Sequence, residues 1–159
     1  MEPLHPKIVH FPIAFLFGAG ICYLLMIFIK NQRLDRFGFF LHVAGLLGCI
    51  AAILTGDYAE SSIVQTERIH EIVEEHEFQG MVAAWAFGLL GVWAFLRAKS
   101  KFMAEKIVFI LVFWLGLGWL TIASAHGGQL VYDEGAGVKP MEKHLIEQRD
   151  IEQRSTEHN

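Results

Sequence analysis

Cysteine is scarce in this chain: Cys22 and Cys49 stand singly inside apolar runs, with no CxxC pair and no CxxCH. That excludes a disulfide framework, a thiolate redox or zinc pair, and covalent attachment of a c-type haem by this sequence. A glycine-rich phosphate loop and a serine nucleophile elbow are also missing. His70 and His76 are not at the i, i+4 spacing of an HExxH zinc helix, so a metalloprotease has no support. A basic excess is lacking too. The net charge is -4, leaving no positive field to hold nucleic acid. Charge is scarcest where a soluble protein would show it, because four long apolar runs are almost free of it. The N-terminus lacks a basic segment and a small-residue cleavage site, so it reads as an uncleaved first span rather than a signal peptide.

What is present is hydrophobic: 53% of 159 residues, with mean hydropathy +0.39. This composition describes a small polytopic membrane protein, all-α, built as an antiparallel bundle of four transmembrane helices. The spans are expected at about 8–29, 37–54, 78–96 and 107–125. The first, Ile8 to Ile29, is 22 residues long and can cross a hydrocarbon core of roughly 30 Å. Pro12 would fall in its first turn, starting the helix close to His10. Thr55-Gly56-Asp57 closes the second span, with Gly56 expected as a C-cap. Between spans two and three, Ile69, Ile72, Val73 and His76 recur at i, i+3, i+4 and i+7, the stripe of an extracytoplasmic amphipathic helix. Residues 1–138 thus form the membrane domain. The charged tail 139–159 carries at most a weak amphipathic helix through Leu145, Ile146 and Ile151, while Gln129 to Val138 could fold back as a cap.

Lysine and arginine set the orientation. The turns Lys30–Arg36 and Arg97–Lys106 hold seven of the thirteen basic residues against two acids, whereas Asp57–Glu77 holds Arg68 among seven acids. By the positive-inside rule the short turns are cytoplasmic and both termini lie outside, in the periplasm of a bacterium.

That topology gathers histidines at the outer end. His10 opens span one, His76 opens span three and His126 closes span four; His5, Asp57 and Glu60 are near enough in sequence to join them. His42 lies about six residues into span two, roughly 9 Å deep from the other side. Ionisable side chains at a membrane mouth are costly and usually face a cavity, partner or cofactor. Small residues share their helical faces: Ala14 and Gly18 with His10, Gly38 and Gly45 with His42, Gly80 and Ala83 with His76, Ala123 with His126. Neutral imidazole binds haem iron, zinc or copper, and a porphyrin between helices needs small neighbours. His10 and His76, on diagonal spans, form the first ligand pair for a b haem, with His126 as alternate ligand or hydrogen-bonding neighbour. The plainer reading is that interfacial histidines bond a carbonyl or headgroup and the small residues are packing devices. His42 alone suits an interhelical hydrogen bond better than ligation.

The opening His5-Pro6-Lys7-Ile8-Val9-His10-Phe11-Pro12-Ile13-Ala14, the Thr55-Gly56-Asp57-Tyr58 that ends span two and the closing Gly127-Gly128-Gln129-Leu130-Val131-Tyr132 with Gly135 and Gly137 resemble a bacterial four-helix membrane family catalogued as a domain of unknown function. The likeness covers about Pro3 to Val138. It implies a four-span inner-membrane protein and, because some members are joined to c-type cytochrome domains, a setting in envelope electron transfer. His5, His10 and His126-Gly127-Gly128 are the motif positions it marks.

Three functions follow as expectations. The first is a b-type cytochrome-like subunit passing electrons between quinol and a periplasmic acceptor, with His10, His76 and His126 as the haem-binding set and His42 the only histidine available to a second haem. The second is a non-haem zinc, copper or iron site for binding or transport, formed by His10, His76, His126, Asp57 and His5. The third is a structural subunit of a larger respiratory or photosynthetic complex.

Overall fold

The computed structural model describes residues 4–29, 31–64, 66–97, 102–138 and 141–157; Lys30, Lys99 and Lys101 of the basic turns and Lys139 of the tail lie outside them. Six helices follow one another: α1 His5–Ile8, α2 His10–Leu25, α3 Gln32–Glu60, α4 Glu67–Arg97, α5 Met103–Tyr132 and α6 Glu142–Glu157. No strand occurs among the described residues. Four helical stretches are long and apolar enough to cross a membrane: α1 with α2, α3, α4 and α5.

α1 and α2 are one rod with a flaw at Val9, whose backbone stays helical. Pro12 has no N–H to give the Ile8 carbonyl, so one rung of the ladder is lost there. The helix therefore starts at His5, not close to His10, with Pro6 in the first turn, where a missing N–H costs least. It ends at Leu25 rather than Ile29, in i to i+3 bonds from Ile27 N to Leu24 O (3.2 Å) and Phe28 N to Leu25 O (3.0 Å). Asn31 caps α3, its side chain accepting from Arg33 N at 2.9 Å, and Asp35 in the first turn complements the helix dipole.

Gly56 is not a C-cap. α3 runs through it to Glu60, where the hydroxyls of Ser61 and Ser62 donate to the carbonyls of Tyr58 and Ala59. The amphipathic stripe of Ile69, Ile72, Val73 and His76 exists, but as the opening turns of α4, continuous with span three. At 31 residues α4 is roughly 46 Å long, so it projects beyond a hydrocarbon core of about 30 Å. α5 likewise runs past His126-Gly127-Gly128 to Tyr132. Gly135 (φ 67°) and Gly137 (φ 72°) then turn the chain in the left-handed region that side chains avoid. This reversal brings Ala136 onto Ile69 and Val73, and α6 adds Leu145 to the same cluster. The tail is thus a helix docked at one point.

α2 packs on α3 and α5, and α4 on α3 and α5, which puts α2 and α4 on one diagonal. The core is aromatic: Tyr23, Phe87, Phe109 and Phe113 meet mainly edge to face, with Leu16, Ala19 and Leu117 filling around them. Glycine sets the α2–α3 spacing. A Cβ on Gly45 would stand 2.6 Å from Leu16 Cγ, and one on Gly48 would meet Pro12 at 3.0 Å. Cys22 and Cys49 are buried free thiols. Phe40, Trp85, Leu89 and Leu115 point outward, as side chains facing lipid must.

Candidate functional site

Three histidines reach across the bundle, and each does so in the same way. The Nδ1–H of His5 donates to the Ala52 carbonyl (2.9 Å), that of His76 to the Ala123 carbonyl (2.9 Å), and the Nε2–H of His42 to the Phe87 carbonyl (2.9 Å). Each accepting carbonyl belongs to the body of another helix, where it is normally screened by the side chain four residues on. At all three sites that residue is glycine: Gly56, Gly127 and Gly91. A Cβ there would stand 3.2 Å from His5 Cε1, 2.9 Å from His76 Cε1 and 3.7 Å from His42 Nε2 respectively. At Gly56 and Gly127 glycine opens the helix wall to an imidazole, whereas a Cβ at Gly91 would make only ordinary contact with His42. The sequence marks Gly56 and Gly127 by motif but gives no sign that each faces a histidine of another helix.

The hydrogen bonds also fix what each ring can do. A carbonyl only accepts, so the bonded nitrogen carries the proton. In His42 the other nitrogen, Nδ1, accepts from Tyr23 Oη at 3.3 Å, and the ring is 0% exposed. Both nitrogens are occupied, so His42 is a buried crosslink among α2, α3 and α4 with no lone pair to offer a metal.

His5 and His76 differ. In each, Nδ1 is anchored and Nε2 carries no hydrogen bond among the described residues, which leaves its lone pair for a ligand. Their rings lie together at the N-terminal end of the bundle, centroids 5.9 Å apart and planes at 83°. Anchoring of one nitrogen on a carbonyl is the arrangement that orients histidine ligands of metals.

His10 is not part of this pair. It is exposed, its Nδ1–H donating to the Pro6 carbonyl at 2.7 Å. Successive helical residues turn by about 100°, so His5 and His10 sit about 140° apart around the rod and cannot share a face. His5, not His10, holds the inward position on this rod. His126 neighbours His76 but has both nitrogens engaged: Nδ1 meets Gln79 Oε1 at 2.9 Å, and Nε2 lies 3.5 Å from the Glu75 carboxylate. Asp57 is exposed, and it flanks a hydrogen-bonded pair of carboxyl groups, Glu60 and Glu77. Among the described residues no three His, Cys, Asp or Glu side chains are grouped to hold a metal ion.

The model of a family described as predicted membrane protein (DUF2231) matches residues 1–140. The chain belongs to the DUF2231 family. Comparison with curated proteins and with solved structures gave no match. The DUF2231 match contains His5, His76 and the glycines Gly56 and Gly127, and it stops before α6. The docked tail helix therefore lies outside the family's matched region.

Proposed function

We propose that the chain is a b-type cytochrome-like membrane subunit in which His5 and His76 hold a haem at the end of the bundle that the charge bias assigns to the periplasm. The observation that carries this reading is the pair of imidazoles anchored through Nδ1 with Nε2 unengaged. His5 and His76 are the residues that would hold the group, their ring centres 5.9 Å apart. A haem iron takes four donors from its porphyrin and asks two of the protein. A structural zinc site asks four. Two free lone pairs therefore favour haem.

The haem would supply one-electron exchange, between quinol in the bilayer and a soluble acceptor such as a c-type cytochrome. The chain's own part is to hold and tune. Ala52 and Ala123 fix the ring orientation and tautomer of His5 and His76, and a hydrogen bond at the far nitrogen raises ligand basicity. His126, held between Gln79 and Glu75, places a polar ring beside His76.

A second reading, a non-haem metal ion on the same two histidines, draws on the carboxylates of Glu75, Glu60 and Glu77 at that end as further ligands after rearrangement. One experiment separates the readings: absorption spectra of detergent-purified protein, oxidised and dithionite-reduced, with metal analysis, on the wild type and on His5→Ala, His76→Ala and His10→Ala. Reduced α and Soret bands lost in the first two variants and kept in His10→Ala support the haem. A colourless protein with stoichiometric zinc, copper or iron moves the site to a metal ion. Neither cofactor, with co-purifying large subunits, would make the chain a structural component of a larger membrane complex.

A further inference from the structure

The opposite end of the bundle carries a charge that the histidine site does not use. Arg97, the last residue of α4, is only 6% exposed. Its guanidinium lies 3.8 Å from the Phe109 ring centre and 5.3 Å from that of Tyr23, a double cation–π contact. These rings cannot accept an N–H in the ordinary sense, and Nε of Arg97 is buried without a hydrogen-bond partner among the described residues. A buried donor left unmet costs free energy, more so on a charged group, so its retention calls for an occupant. Arg97 also lines a cavity of about 160 Å³, together with Tyr23, Asp35, Arg36, Phe39 and Phe95. That is several times the roughly 30 Å³ share of one water.

We propose that this cavity binds the phosphate of an anionic phospholipid, phosphatidylglycerol in chemistry, with Arg97 as the buried donor and Arg36 as the exposed cation at the rim. Guanidinium groups match phosphate oxygens in charge and planar geometry. The location suits a lipid rather than a soluble anion. Phe95 of the cavity wall turns an apolar face outward, at 70% exposure, where acyl chains would run. The flanking turns hold seven of the thirteen basic residues of the chain, as at a membrane surface that attracts anionic lipid. Asp35 on the cavity wall sharpens the choice. A carboxylate beside the site opposes the second charge of free phosphate, tolerates the single charge of a phosphodiester, and can accept from a headgroup hydroxyl.

The test is native mass spectrometry of the detergent-purified chain titrated with phosphatidylglycerol or phosphatidylcholine of the same acyl chains, and with inorganic phosphate as competitor. Phosphatidylglycerol should bind at least tenfold tighter than phosphatidylcholine, and Arg36→Gln should lose about tenfold of its affinity, as expected for one charged hydrogen bond, with Arg36→Lys retaining part. Arg97→Gln should abolish the preference. Because Arg97 is buried and its loss can unfold the chain, Arg36, exposed at the rim, carries the decisive comparison. Equal binding of the two lipids, or a preference unchanged in Arg36→Gln, overturns the proposal. Displacement of the lipid by inorganic phosphate or by a short-chain quinone overturns it as well, reassigning the cavity to that ligand.

Discussion

Gly127→Ala tests the glycine windows directly. The new Cβ would sit 2.9 Å from His76 Cε1, and ordinary contact begins at 3.4 Å, so the ring must give by about 0.5 Å. Its hydrogen bond among the described residues is the 2.9 Å one to the Ala123 carbonyl, one turn before Gly127 on the same helix. A retreat of that size stretches the bond to about 3.4 Å, beyond useful length, and forfeits about 1 kcal/mol. Alanine in a helix returns about 1 kcal/mol over glycine, so the variant should melt close to the wild type. Gly118→Ala, on the same helix with nothing within 4 Å of its added Cβ, is the control. It keeps the whole propensity gain and should melt roughly 2–4 °C higher, the shift about 1 kcal/mol gives a chain of this size. Thermal unfolding of both variants in one detergent measures the difference, and the Nδ1–H resonance of His76 reports the ring itself. Equal melting points together with an unmoved His76 resonance would refute the window argument, whatever cofactor the protein binds.

His42→Ala should lower stability by about 3 kcal/mol, through a cavity in the core and the unpaired Tyr23 hydroxyl, while leaving any absorption bands of bound haem unchanged; loss of the bands in a folded variant would make His42 a ligand after all. Gly45→Ala should separate α2 from α3 at a cost of about 2 kcal/mol, because Leu16 Cγ stands 2.6 Å from the added carbon and Leu16 N 3.2 Å from it; an unshifted thermal midpoint would show that the helices have slack there. Leu145→Asp should release α6 from Ile69 and Val73, seen as faster proteolysis after residue 141 with the bundle's melting temperature nearly constant; equal cleavage rates would mean that the single buried leucine does not hold the tail.

The span pattern was legible because a bilayer imposes it. Runs of about 20 apolar residues with basic turns between them permit few alternatives to four crossing helices. Helix ends were harder to read: glycine at 56 and at 127–128 carries the ordinary signal of a helix stop, yet the chain continues as α-helix through both. The signal was present with a different cause. Gly56 and Gly127 each face an imidazole from another helix, and tertiary contact outweighs the local preference.

The same reasoning explains why the structure pairs His76 with His5 rather than with the expected His10. Small residues were sought beside each histidine on its own helix, as packing around a haem would suggest. The residues that crowd the rings lie four positions after the accepting carbonyl on the partner helix: Gly56 for His5 and Gly127 for His76. A single sequence does not link residue 5 to residue 56, since the link exists only once α1 and α3 are packed side by side. Helical rotation then decides which histidine benefits. The rod is packed with His5 turned inward, so a position about 140° away at His10 faces outward however distinctive its motif. The imidazole pair therefore depends on the helix reaching back to His5, with Pro6 tolerated in its first turn, and on two glycines that lie far from it in the chain.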